Sequence, residues 1–152
     1  EITASAWAAE VGQLVADQHG VDADAVADMW TNAAWAVDQE VIALVRSVQE
    51  RGVATACFSN ATDRLEEDLA SVGVADAFGT IVNSSRIGEM KPDPKFYAVA
   101  CEAAGVQPAE VLFVDDRLEN VVGALEGGLH GIRYQGIDRL RAVLRRTGLL
   151  PD

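Results

Sequence analysis

The chain reads as an α/β domain built on a parallel sheet, with a short all-helical region ahead of it. Two observations predict this. From Gly52 onward, short apolar runs alternate with amphipathic stretches, the pattern of strands joined by right-handed crossover helices. Before Gly52 that alternation gives way to Ala-rich helical periodicity, and all three tryptophans (Trp7, Trp30, Trp35) fall there. A length of 152 residues is one domain's worth with a small accessory lobe, and 49% hydrophobic residues are enough for a core.

Residues 3 to 35 predict two helices split near Gly20. Val41, Leu44, Val45 and Val48 mark a third, leading into the first strand. Val53–Phe58 is a six-residue apolar run between Gly52 and Ser59, too short for a helix, and predicts a buried strand. Leu65, Leu69 and Val72 share a helical face closed by Gly73. Thr80–Asn83 predicts a second strand, followed by a polar loop from Ser84 to Asp93. Pro94 opens a helix through Phe96, Val99, Ala100 and Ala103 that stops at Gly105. Val111–Val114 is the third strand, and its helix runs through Val121, Val122 and Leu125 to Gly127-Gly128. Gly131–Tyr134 is a weaker fourth strand, and Ile137, Leu140, Val143 and Leu144 define a last helix ending near Gly148.

The charge balance of 12 basic against 24 acidic side chains gives −12, which argues against nucleic acid or an anionic membrane as partner. No apolar stretch reaches the roughly 18 residues that span a bilayer, and no basic-then-apolar leader opens the chain. Cys57 and Cys101 make neither a disulfide framework nor a zinc knuckle, so buried reduced thiols in a cytoplasmic protein are expected. His19 and His130 have no ligand partner at useful spacing.

Ligands of parallel α/β sheets sit beyond the carboxyl ends of the strands. Ser59 directly follows the first strand, Lys91 lies in the loop after the second, and Asp115-Asp116 follow the third, so all are expected at one edge. The hydroxyl of Ser59 and the backbone N–H groups at Ser59-Asn60 suit phosphoryl oxygens, and Lys91 suits their charge. The paired carboxylates suit Mg²⁺, which takes carboxylate, water and phosphate oxygens. Taken singly, each has a plainer reading: turn residues, a solvated loop lysine, helix caps.

Together, Phe58-Ser59-Asn60-Ala61-Thr62, Gly88-Glu89-Met90-Lys91-Pro92-Asp93-Pro94 and Val111-Leu112-Phe113-Val114-Asp115-Asp116, followed by Asn120 and Gly123-Ala124, resemble the haloacid dehalogenase (HAD) superfamily along essentially the whole chain. The resemblance implies a Rossmann-like core over residues 38–152 and a helical cap over 1–37. It implies that Ser59 and Lys91 hold and stabilise a transferring phosphoryl group, that Asp115 ligates Mg²⁺, and that Asp116 binds the ion or its waters. The paired acids favour phosphoryl transfer from a small phosphorylated metabolite over carbon–halogen cleavage.

One part of the family pattern is missing. Its nucleophile is the first Asp of an Asp-x-Asp at the end of the first core strand, a central strand between those ending at Ser59 and Asp115. The only Asp-x-Asp here, Asp22-Ala23-Asp24, reads as a helix N-terminus. The first core strand is therefore expected to be absent, and these residues alone to be inactive. Each buried unsatisfied backbone group costs on the order of 1–3 kcal/mol, so the flanking strands should pair directly or accept another segment. Residues ahead of Glu1 in a parent protein are the expected source of the nucleophile. The alternative is a degenerate relative that binds phosphate, or a protein partner, without turnover.

Overall fold

The computed structural model describes residues 3–32 and 36–151. Two helices come first: α1 (Ala4–His19), capped by Thr3 and ended by Gly20 in the left-handed region, and α2 (Ala23–Thr31). Asp22 is the N-cap of α2, its carboxylate accepting the Ala25 N–H at 2.8 Å, so the Asp-x-Asp segment opens a helix as its composition indicates. The two helices cross at small residues: Ala8 and Gly12 are buried, and a Cβ on Gly12 would lie 2.4 Å from the Ala23 carbonyl oxygen.

The remaining order is α3 (Gln39–Gln49), β1 (Ala56–Ser59), α4 (Leu65–Ser71), β2 (Thr80–Asn83), α5 (Ser84–Ile87), α6 (Pro94–Ala104), β3 (Leu112–Asp115), α7 (Leu118–Glu126), β4 (His130–Arg133) and α8 (Ile137–Arg146). All strand pairing among the described residues is parallel, in two separate pairs, β1 with β2 and β3 with β4. No ladder joins β1 to β3. Of the two arrangements expected for the flanking strands, direct pairing is thus not adopted.

Three of the four strands sit one to three residues from their expected places. The apolar run at 53–58 starts early because Val53 packs against the cluster of Leu44, Val48, Leu140, Leu144 and Leu150 outside the ladder, and pairing begins only at Ala56. β3 extends through Asp115 because that residue still pairs in register with Arg133. The loop from Ser84 is not all loop: Asn83 caps the short helix α5, its side-chain oxygen accepting the Ser85 N–H.

The side chains of β3 alternate between two apolar clusters. Phe113 joins Phe96, Tyr97, Ala100, Cys101 and Ala124 beneath α6 and α7, while Leu112 and Val114 pack with Leu44, Val48, Leu140 and Leu144 beneath α3 and α8. Phe58 of β1 belongs to the first cluster, its ring stacked on Phe113 at 6.5 Å between centroids. Gly123 lets α7 approach the loop after β2, since a Cβ there would fall 2.0 Å from the Pro92 carbonyl oxygen. In the helical region Trp7 and Trp30 meet edge to face at 5.3 Å, with Trp30 55% exposed. Trp35 lies outside the described residues.

Candidate active site

The carboxyl ends of β1 and β3 are tied to one loop. Asn60, just past β1, donates from Nδ2 to the Lys91 carbonyl and accepts the Lys91 N–H on Oδ1, both at 2.8 Å. This reciprocal pair fixes the Lys91 backbone to the end of β1. The Lys91 ammonium then reaches β3 and meets Asp115 Oδ2 at 2.8 Å. Ser59, Lys91 and Asp115 therefore gather at one rim of the two strand pairs, as their positions after successive strands predict.

The Lys91–Asp115 pair is largely withdrawn from water, with side chains only 10% and 8% exposed. Lys91 Nζ also lies 5.4 Å from the centre of the Phe113 ring. Burial pushes the Asp115 carboxyl upward. The Lys91 ammonium, the Arg117 N–H at 2.9 Å and the Asn120 amide at 3.0 Å outweigh it and hold the carboxyl below its ordinary value. Asn120 is itself held in place: it is buried, and its carbonyl accepts the Tyr97 hydroxyl at 2.5 Å. Burial and the Asp115 charge push that hydroxyl up to about 12.

Asp116 is exposed beside this pair, and its carbonyl oxygen accepts from Arg133. No described residue hydrogen-bonds the Ser59 hydroxyl. Burial pushes the Cys57 thiol, next to the rim, above its ordinary value, and the Lys91 charge opposes this only in part. His19 and His130 are exposed, and Cys57 and Cys101 are free thiols.

The fit to Mg²⁺ follows from the donors. Asp115 Oδ2 already faces a positive charge, and Asp116 stands next to it in sequence. Mg²⁺ requires one or two carboxylates and completes its shell with water and phosphate oxygens. Two acids at the rim fit that requirement, whereas no third His, Cys, Asp or Glu joins them among the described residues to form an all-protein cage.

Three positioning residues, Asn120, Asn83 and Ser84, were not assigned roles by sequence reasoning. Asn120 appears in the motif without a function, and the helical period does place it one turn from Asp115-Asp116. Asn83, the cap of α5, and Ser84, its first residue, brace the neighbouring loop. Asn83 Nδ2 donates to the Thr62 carbonyl at 2.7 Å, and Ser84 Oγ accepts the Ala61 N–H at 3.1 Å, bracing the loop after β1. The helical region docks on that same loop through Ala4 N–H to Asp63 and Arg64 to the Thr31 carbonyl.

A parallel α/β fold binds its ligands beyond the carboxyl ends of its strands, where this chain gathers a hydroxyl, an ammonium and paired acids. The chain belongs to the haloacid dehalogenase-like hydrolases, whose family model matches residues 4–128. It is 31% identical to haloacid dehalogenase-like hydrolase domain-containing protein 3 of Bos taurus over 95% of this chain and 61% of that protein. It is 33% identical to the phosphoserine phosphatase of Thermus thermophilus over 74% of this chain and 42% of that enzyme. The chain thus spans less than two thirds of the length of these relatives. Among solved structures, a HAD family enzyme of Bacteroides thetaiotaomicron in complex with magnesium and inorganic phosphate shares the fold, with a TM-score of 0.66, 22% identity and coverage of 84% of this chain and 70% of that one. No helix among the described residues is long and apolar enough to cross a membrane.

Proposed function

We propose that the chain carries the phosphate- and magnesium-holding part of a phosphohydrolase acting on a small phosphorylated metabolite. The observation that carries this reading is the 2.8 Å contact between Lys91 and Asp115 at the rim shared with Ser59. The Ser59 hydroxyl and the backbone N–H groups at Ser59-Asn60 hydrogen-bond the phosphoryl oxygens. Lys91 turns its ammonium from Asp115 toward those oxygens and neutralises the charge that builds on them. Asn60 keeps the Lys91 backbone in place through both of its side-chain hydrogen bonds. Asp115 and Asp116 hold Mg²⁺, which supplies a second positive charge against the phosphoryl group. Asn120 and the Arg117 N–H orient the Asp115 carboxylate.

The attacking carboxylate lies outside residues 1–152 in this reading. Within the chain Asp22 is committed to capping α2, and the acids at the rim are the metal ligands. Residues 1–37 act as the cap that selects the substrate, and their docking on the loop after β1 supports this. Free thiols at Cys57 and Cys101 agree with a reducing, cytoplasmic setting.

The test is binding and turnover measured separately on the same preparation. Inorganic phosphate binds in the presence of Mg²⁺ and is weakened at least tenfold by Ser59→Ala, while an aryl phosphate is not hydrolysed by these residues alone. Phosphate binding indifferent to Ser59 overturns the site; robust Mg²⁺-dependent hydrolysis overturns the placement of the nucleophile.

A further inference from the structure

We propose that the cleft between β4 and α8 binds a compact anion with two separate oxyanion groups, a small polycarboxylate or a diphosphate. This goes beyond the hydrolase reading and does not depend on it. The cleft has a volume of 280 Å³ and lies between β4 and the face of α8 that carries Arg139, Leu140, Val143 and Arg146. Sites for drug-sized ligands run to about 300–1,000 Å³, so this one suits a smaller molecule.

Charge is the first reason. The guanidiniums of Arg133, Arg139 and Arg146 border the cleft, and no Asp or Glu lines it among the described residues. In a chain of net charge −12, cations gathered without a facing carboxylate repel one another and attract an anion. The far side of α8 gives the contrast. A groove of 570 Å³ against α3 holds Arg51, Arg141 and Arg145 there, but Glu40 and Glu50 line it with them. Asp138, the one acid of α8, also stands on that side, 3.7 Å from Arg141. Helical spacing separates the two sets, since 139, 143 and 146 share one face while 138, 141 and 145 share another.

Hydrogen-bonding capacity is the second. Gln135 commits its Oε1 to Arg139 Nη1, which leaves the amide nitrogen to donate. Arg133 Nε donates to the Asp116 carbonyl at 2.9 Å; this anchors the side chain and leaves both terminal nitrogens unbonded among the described residues. Arg146 and the Tyr134 hydroxyl have no hydrogen-bond partner there either. A guanidinium has five N–H donors and no acceptor. The side chains around the cleft therefore offer an excess of donors, which a ligand rich in acceptor oxygens satisfies.

Spacing sets the ligand's shape. Arg139 and Arg146 are two turns apart, about 10 Å along α8, and Arg133 enters from β4. Forks rooted that far apart match two anionic groups better than one, each group taking a guanidinium in bidentate fashion. A long polyanion such as nucleic acid would extend past the cleft and meet the chain's net negative charge. A compact ligand stays inside it.

The experiment is calorimetric titration of citrate, pyrophosphate and acetate into the 152-residue chain at low ionic strength, without Mg²⁺. Citrate or pyrophosphate binds about tenfold or more tightly than acetate, and the tighter of the two assigns the groups as carboxylate or phosphate. Arg139→Gln and Arg146→Gln each weaken that binding by about tenfold, the loss of one hydrogen bond to a charged group. Both side chains are exposed, so circular dichroism of these variants matches the native chain. Arg141→Gln removes the same charge from the other side of α8 and changes the affinity by less than about twofold. Lys91→Met, which takes the ammonium from the rim, is equally silent. No binding, acetate bound as tightly, or equal weakening by Arg141→Gln overturns the proposal. So does binding that Lys91→Met abolishes and the Arg139 and Arg146 variants keep. None of these readouts involves metal or turnover, so failure here is distinct from failure of the hydrolase reading.

Discussion

Replacing Lys91 with methionine tests the electrostatics of the rim without opening a cavity. The side chain keeps its apolar stem and loses the ammonium, which lies 2.8 Å from Asp115 Oδ2 and 5.4 Å from the centre of the Phe113 ring. Asp115 then retains only the Arg117 and Asn120 donors, both on Oδ1. Stranding one member of a buried pair costs about 3–5 kcal/mol. With both side chains near the rim, at 10% and 8% exposure, a loss of about 2–3 kcal/mol at pH 7 is expected. The pH dependence gives the stricter check. In the native chain the Asp115 carboxyl sits below its ordinary value, so its stabilisation is complete above the unfolded value of about 3.9 and is lost only as pH falls through the lower folded value. In Lys91→Met burial loses its main opponent and the carboxyl moves upward, so the variant sheds its penalty by protonation while the native chain is still ionised. Urea unfolding followed by circular dichroism, without Mg²⁺ or phosphate, should show the deficit shrinking between pH 7 and pH 4. Adding Asp115→Asn to Lys91→Met should recover most of it at pH 7. A deficit independent of pH, or one below about 0.5 kcal/mol, would refute the reasoning.

Asn60→Ala removes both hydrogen bonds that hold the Lys91 backbone and should destabilise by about 1–2 kcal/mol; phosphate affinity measured by calorimetry should fall although no charge has changed. Gly123→Ala drives a Cβ into the Pro92 carbonyl and should lower the urea midpoint by the equivalent of about 1–3 kcal/mol, with Gly123→Val worse. Tyr97→Phe deletes the hydroxyl bound to the Asn120 carbonyl; it should cost about 1–2 kcal/mol in unfolding experiments and weaken Mg²⁺ binding through the loosened Asn120.

The features that sequence exposed best are those governed by local rules. Gly20 and Gly105 end their helices in the left-handed region, Pro94 and Asp93 open α6, and Asp22 caps α2, each as its residue type dictates. Thr80–Asn83 is a strand with the expected bounds because Gly79 and the Asn83 cap delimit it. The convergence of Ser59, Lys91 and Asp115 was also legible, since ligand positions follow from strand order in a parallel sheet. What stayed hidden is non-local. That Asn60 spends its amide on the Lys91 backbone depends on two segments 31 residues apart meeting. The break between β1 and β3 matches neither expected arrangement, direct pairing or a segment in the slot, among the described residues, because a strand's composition does not state which edge is paired. Lys91 looked like a solvated loop residue on its own; its near-complete burial comes from Phe113 and Asp115, which no local pattern connects to it.

Calorimetric titration of inorganic phosphate with and without Mg²⁺ most directly tests whether hydroxyl, ammonium and acids form a single site. If they do, each ligand tightens the other by the same factor, about fivefold or more, and Asp115→Asn removes the coupling. Phosphate binding that ignores Mg²⁺, or coupling that survives Asp115→Asn, would mean that the rim does not hold both.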